Sequence, residues 1–143
     1  MLNRRLGEIL INKPKKYKQN YTDRIIQTGL RAYEDVQKAD SIYLSKYSYE
    51  QDFFKRRDHL QEARGAVQSV ASECGLFLDL VRHHDYAAQG GAADDGRNYA
   101  KLYDQALEIG GMCEKCYELI SGVLKADNEL YKKAIRGREA PTA

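Results

Sequence analysis

The chain has 143 residues, of which 43% are hydrophobic and 31% charged, and its net charge is only +2. One domain of that length has enough apolar material for a core, which excludes wholesale disorder. No stretch approaches the roughly 20 apolar residues of a membrane span, Met1–Leu10 lacks the pattern of a signal peptide, and the odd set Cys74, Cys113 and Cys116 excludes a secreted disulfide scaffold; the expectation is a cytoplasmic protein with no membrane contact.

Residues 1–14 read as an N-terminal arm or short helix, with Leu6, Ile9 and Leu10 on one side and Pro14 ending the unit. Residues 15–136 read as a single helical-bundle domain, and 137–143 as a flexible tail. Pro14 and Pro141 are the only prolines, so nothing between them breaks a helix. A first long helix is expected from Lys15 or Thr22 to Tyr43, with Thr22 and Asp23 as caps. Ile25, Gly29, Ala32, Val36, Ala39 and Tyr43 form one stripe, widened by Ile26, Leu30 and Tyr33. So broad a stripe suits a helix with more than one neighbour.

The stretch LSKYSYEQ reads as a turn in which Ser48 and Gln51 form a capping box. A second helix then runs to about His84. Phe53, Leu60, Val67, Cys74 and Val81 recur every seven residues, with Ala63, Val70 and Phe77 between them, the pattern of a packed helical seam. Gly65 and Gly75 are expected to allow close helix approach. The stretch AAQGGAADDG reads as a loop, and Asp94 or Asp95 as the cap of a third helix. Leu102, Ala106, Ile109, Cys113, Cys116, Ile120, Val123, Leu130 and Ala134 mark that helix, interrupted on its apolar side by Asp127. The fold expected is all-α: an antiparallel bundle of three long helices plus a short N-terminal segment, four-helix-bundle-like. Long helices with wide apolar stripes also favour self-association.

No catalytic constellation emerges, so a binding protein is expected rather than an enzyme. Cys113-x-x-Cys116 falls mid-helix on the apolar stripe, where buried thiols act as small hydrophobes. No second Cys/His pair completes a zinc site. His83 and His84 diverge by about 100° around a helix, and Glu73, Glu108, Glu114 and Glu118 lack the histidine three residues on that a di-iron bundle uses. Phosphate-binding glycine loops and nucleophile elbows are missing as well. No cofactor or metal is expected.

Charge is distributed unevenly. Residues 1–24 carry Arg4, Arg5, Lys13, Lys15, Lys16, Lys18 and Arg24, and the last stretch carries Lys125, Lys132, Lys133, Arg136 and Arg138. Such ends suit a polyanion. Lys55, Arg56 and Arg57 lie in the opening turns of the second helix, where cations oppose the helix dipole. Two readings stay open there: arginine forks presented to phosphate, or helical pairing of Asp52 with Arg56 and of Arg57 with Gln61.

The order of Ala39, Ser41, Ile42 and Tyr43, then Tyr49 and Glu50, then Lys55, Arg56, Arg57, Leu60, Gln61 and Ala63, then Gly122, Lys125, Asp127 and Asn128 resembles the accessory variability determinant proteins of diversity-generating retroelements. More broadly it is similar to the four-helix-bundle proteins encoded in 23S rRNA intervening sequences. Val123 and Leu124 depart from the Trp-Arg that the family often has there. The resemblance spans residues 20–133. It implies a homopentameric, non-catalytic accessory subunit that binds reverse transcriptase and template RNA in mutagenic cDNA synthesis. It makes Lys55, Arg56, Arg57 and Lys125 candidate nucleic-acid or polymerase contacts, while Lys13, Lys15, Lys16 and Lys18 are candidates from charge alone. The alternative is a structural or protein-interaction bundle that does not touch nucleic acid.

Overall fold

Eight buried apolar side chains from Phe53 to Val81, recurring at helical spacing, place a buried face along one long helix, and the other helices assemble around it. The structure, a computed structural model, describes residues 1–10, 21–82 and 95–139. It is all-α: α1 spans Leu2–Leu10, α2 Asp23–Asp40, α3 Glu50–Val81 and α4 Asp95–Glu139. Among the described residues there is no strand, and no helix is long and apolar enough to cross a membrane.

α3 is central. α2 and α4 both pack along it and scarcely touch each other. Both run antiparallel to it: Thr28, early in α2, meets Glu73, late in α3, whereas Asp127, late in α4, meets Arg56, early in α3. The seam expected on α3 is buried from Phe53 through Leu60, Ala63, Val67, Val70 and Phe77 to Val81, with Cys74 half-buried. Ile109, Cys113 and Ile120 of α4 and Ile25, Ala32 and Ala39 of α2 complete the core.

α1 fills a fourth-helix position over one half of the bundle. Leu2, Leu6, Ile9 and Leu10 turn into the core, as expected for three of them. Arg5 clamps α1 to α4 through a two-pronged bond to Glu108, Nε to Oε1 at 2.8 Å and Nη2 to Oε2 at 2.9 Å. This bond holds the Glu108 carboxyl below its usual range. α1 approaches α2 at Gly29, where a Cβ would come within 2.9 Å of Leu6 Cδ1 and closer still to Asn3 Oδ1. Asn3 Oδ1 is buried and has no hydrogen-bond partner among the described residues. Gly65 and Gly75, expected to serve close approach, have open space where a Cβ would stand; they lie on the solvent face of α3.

Several local expectations differ from the structure. Thr22 is buried, has helical dihedrals and makes no side-chain cap. Ser48 does not cap α3: its Oγ accepts from Ser45 N–H at 2.9 Å, its own N–H donates to Ser45 O at 3.1 Å, and extended Tyr49 is the N-cap residue. The hydroxyl is spent inside the turn, so the capping box does not form. Tyr43 is 87% exposed rather than part of the α2 stripe, because α2 ends at Asp40 and the chain turns away. α4 continues through Gly137 and Arg138 to Glu139, with Ala134 still buried and Arg138 bonded to the Ser48 carbonyl. Of the stretch expected as a loop, residues 87–94 lie outside the described residues, whereas Asp95 and Gly96 already belong to α4. Pro14, His83, His84 and Asp85 also lie outside them.

Gly29→Ala is expected to lower unfolding free energy by about 1 kcal/mol, because α1 must shift and the overpacking cost exceeds the helical gain. Gly65→Ala, with open space around it, is expected to raise it by up to ~1 kcal/mol. Urea titrations followed by helical circular dichroism compare the two directly.

Candidate nucleic-acid interface

Successive helical residues turn by about 100°, so the run Lys55-Arg56-Arg57 cannot act as one patch. The structure divides it three ways. Arg56 turns inward. Its Nε donates to Asp127 Oδ2 at 2.6 Å, and its Nη1 donates to the carbonyls of Ala39 at 3.0 Å and Ile42 at 3.3 Å. Both charged side chains are less than one-fifth exposed. Arg56 is thereby withdrawn from the candidate phosphate contacts, and the expected pairing with Asp52 is replaced by one with Asp127. That pairing also explains the acidic residue on the apolar side of α4: a carboxylate there needs a buried cation, and α3 supplies it.

Arg57 lies on the α4 flank, half-exposed, with its guanidinium 4.8 Å from the Phe54 ring and a loose 3.7 Å ion pair to Asp58. Lys55 is exposed and about 200° around the helix from Arg57. Lys125 is exposed on α4. Spacings of seven and eleven residues put Lys132 and Arg136 on the same stripe as Lys125, and both are exposed. Lys132 Nζ is 3.5 Å from Glu129, both side chains more than half exposed. Ion pairs this wet are worth about 0–1 kcal/mol, so these cations can exchange their carboxylates for phosphates. The Arg56 pair cannot exchange so readily, because opening it strands a largely buried carboxylate. Lys13, Lys15, Lys16 and Lys18 lie outside the described residues.

Beside this stripe is an aromatic corner. Tyr131 stacks at a tilt on Phe53 and Phe54, with ring centroids 5.2 and 5.6 Å apart, and its hydroxyl donates to Glu50 at 2.6 Å. This bond, together with burial, pushes the phenol pKa up. The Arg138 guanidinium joins the end of α4 to the turn that precedes α3. Periodicity could not reveal this corner, because it joins residues some eighty positions apart.

The thiols sit inside the bundle. Burial pushes Cys74 up to about 12, with the neighbouring Cys113 and Glu73 adding to the effect. Burial followed by Cys116 pushes Cys113 up to about 11. Such thiols are poor nucleophiles at neutral pH. Among the described residues, no three His, Cys, Asp or Glu side chains are placed to hold a metal ion.

An open apolar groove of about 440 Å³ continues the line of α1 beyond Met1. Leu30 and Tyr33 of α2 form one wall, Leu119 and Ile120 of α4 the other, with Val67 of α3 also lining it. Leu30 and Tyr33, expected to widen the packed stripe of α2, are instead 40% and 54% exposed here, and Leu119 is 71% exposed. α1, from Leu2 to Leu10, covers the space between α2 and α4 over only part of their run.

No protein-family model matches the chain, and neither a curated protein nor a solved structure does.

Arg56→Ala is expected to cost about 2–3 kcal/mol in unfolding free energy, since it leaves Asp127 unpaired in a site closed to most solvent. Adding Asp127→Leu should recover much of that loss, which a double-mutant cycle in urea would measure. A neutral disulfide reagent at pH 8 should label Cys74 and Cys113 slowly in the native protein and rapidly in denaturant. In the unfolded chain these thiols titrate near 9.0, below their folded values. The stability they contribute is therefore whole below pH 9 and is lost as pH climbs through 11 towards 12; a falling urea midpoint across that range checks the sign.

Proposed function

We propose that the chain is a non-catalytic, RNA-binding accessory protein that works as a cytoplasmic homo-oligomer beside a nucleic-acid enzyme, a reverse transcriptase being the partner that its sequence resemblance implies. The observation that carries the reading is the solvent-facing stripe of Lys125, Lys132 and Arg136, flanked by Arg57. Its carboxylate partners are exposed and exchangeable. Phosphate contacts from such a stripe give affinity and register without sequence information. Arg56 supports the site from beneath by fixing α3 against α4 and contributes nothing directly to the ligand.

The alternative is a structural or protein-interaction bundle that binds no nucleic acid. What favours it is the apolar groove between α2 and α4, whose walls in a second copy or another protein would be covered. A pentamer, as the family resemblance implies, would use such faces to close a ring.

Salt separates the two readings. For purified protein and a structured RNA, the logarithm of the association constant should fall against the logarithm of salt concentration. Replacing Lys125, Lys132 and Arg136 together by Ala should flatten that slope by about 2, with the urea midpoint nearly unchanged because all three are exposed. A slope unaffected by the triple variant would remove the stripe from the interface. No binding at low salt, with an oligomer seen by light scattering, would favour the interaction bundle.

A further inference from the structure

The turn between α2 and α3 has a composition that packing does not explain. Residues 41–49 read SIYLSKYSY, with one cation and no carboxylate, in a chain where 31% of residues are charged. Its three tyrosines are the most exposed aromatic residues described: Tyr43 at 87%, Tyr47 at 78% and Tyr49 at 73%. Tyrosines in a bundle usually bury the ring and wet only the hydroxyl. Here the ring faces themselves meet solvent, on a segment whose half-buried residues include Ile42 and Leu44.

The backbone beneath these rings is held firmly. Ser41 N–H donates to Gln37 O and Ile42 N–H to Ala39 O, each at 3.0 Å. Arg56 reaches the Ile42 carbonyl from α3, Arg138 reaches the Ser48 carbonyl from α4, and Ser45 and Ser48 bond each other across the tip. Two arginines from two different helices thus fix the ends of a nine-residue turn while its rings project outward. A platform held in advance loses little conformational entropy when something flat settles on it. Cations stand beside the rings, while the nearest carboxylates in sequence, Asp40 and Glu50, flank the turn. Lys46 Nζ stands 5.0 Å from the Tyr47 ring centroid, and Arg138 brings the basic last turns of α4 alongside.

We propose that this turn is a stacking platform for unpaired RNA bases, with Tyr43, Tyr47 and Tyr49 supplying ring faces while Lys46 and the α4 cations hold the adjoining phosphates. Exposed aromatic faces within a positive field are the combination that single strands use, because every base offers a π-face and every linkage a charge. A duplex keeps its bases stacked on one another and leaves only phosphates and sugars to these rings. The inference rests on the RNA-binding reading above and refines it: the ligand class is single-stranded RNA.

The test uses the full chain with a labelled oligouridylate of about 12 nucleotides and a duplex RNA of equal length, at low and moderate salt. Replacing the three tyrosines by Ala should weaken the single strand about ten- to a hundredfold, leave its salt slope intact and change duplex binding less than twofold. Replacement by Phe, which keeps the rings, should restore the single-strand affinity. The chain has no tryptophan, so tyrosine emission can be read directly, and the wild-type signal should be quenched by oligouridylate. This keeps the inference testable even if the triple Ala variant fails to fold. Single-strand binding that persists in the Ala variant, equal losses for strand and duplex, or wild-type binding without quenching would each overturn the platform while leaving RNA binding in place; the first of these is what a protein-facing turn would give. No wild-type binding to either RNA at low salt would overturn the RNA-binding reading itself, and the platform with it.

Discussion

Arg56 joins three helices through one guanidinium. It rises from α3, pairs with Asp127 of α4, and donates to the Ala39 carbonyl at the C-terminal end of α2 and the Ile42 carbonyl in the turn that follows. Each contact answers a separate demand. The last carbonyls of a helix need donors, a carboxylate on an apolar face needs a cation, and a cation in the first turns of a helix needs a reason to be there. A lysine could not meet all three, because its single ammonium lacks the planar fork that reaches divergent acceptors. The position of the α2–α3 turn, the register of α4 on α3 and the shape of the aromatic corner around Tyr131 all follow from this junction. It also goes with where the neighbouring cations lie. With Arg56 drawn inward, Arg57 and Lys55 are thrown to opposite flanks of α3.

The bundle is unequal along its length. Over one half, α1 seals the space between α2 and α4 with four buried aliphatic side chains and a two-pronged arginine–glutamate bond. Over the other half, among the described residues, three helices pack together, closed at the far end by the Arg56 junction, and the gap between them is the groove lined by Leu30, Tyr33 and Leu119. The two chemically distinct surfaces follow from this asymmetry. One is apolar and concave, between α2 and α4 beside the start of α1. The other is basic and aromatic, at the end where α3 begins and α4 finishes. The assembly and the polyanion binding proposed above would use separate surfaces, since phosphate contacts favour water and apolar contacts exclude it.

The all-α class, the three long helices and the buried face of α3 were legible in the sequence because a seven-residue repeat fixes an angle around a helix axis, and an apolar stripe at one angle must be buried somewhere. That Cys113 is buried on the apolar stripe followed from the same angular argument, and burial accounts for the raised pKa values of Cys113 and its neighbour Cys74. Local capping was less legible: Ser48 has the right type and spacing for a capping box, yet a second serine three residues earlier competes for its hydroxyl. The glycines were misjudged for a related reason. Gly65 and Gly75 lie on the long central helix but face solvent, whereas Gly29 meets α1, a neighbour that periodicity within α2 does not specify.

By itself, then, the sequence determined which residues share a helical face, that the faces of three long segments are apolar, and that positive charge gathers towards the ends. Only the tertiary structure decided which neighbour each face meets. It turned Arg56 from a candidate ligand contact into a buried strut, paired the unexplained Asp127, left Leu30, Tyr33 and Leu119 uncovered, and set Tyr43, Tyr47 and Tyr49 out on a pinned turn. The physical reason is that helical periodicity records direction around an axis and carries no information on distance between axes. Whether a side chain at a given angle meets a partner, a groove or water depends on where another helix begins and ends.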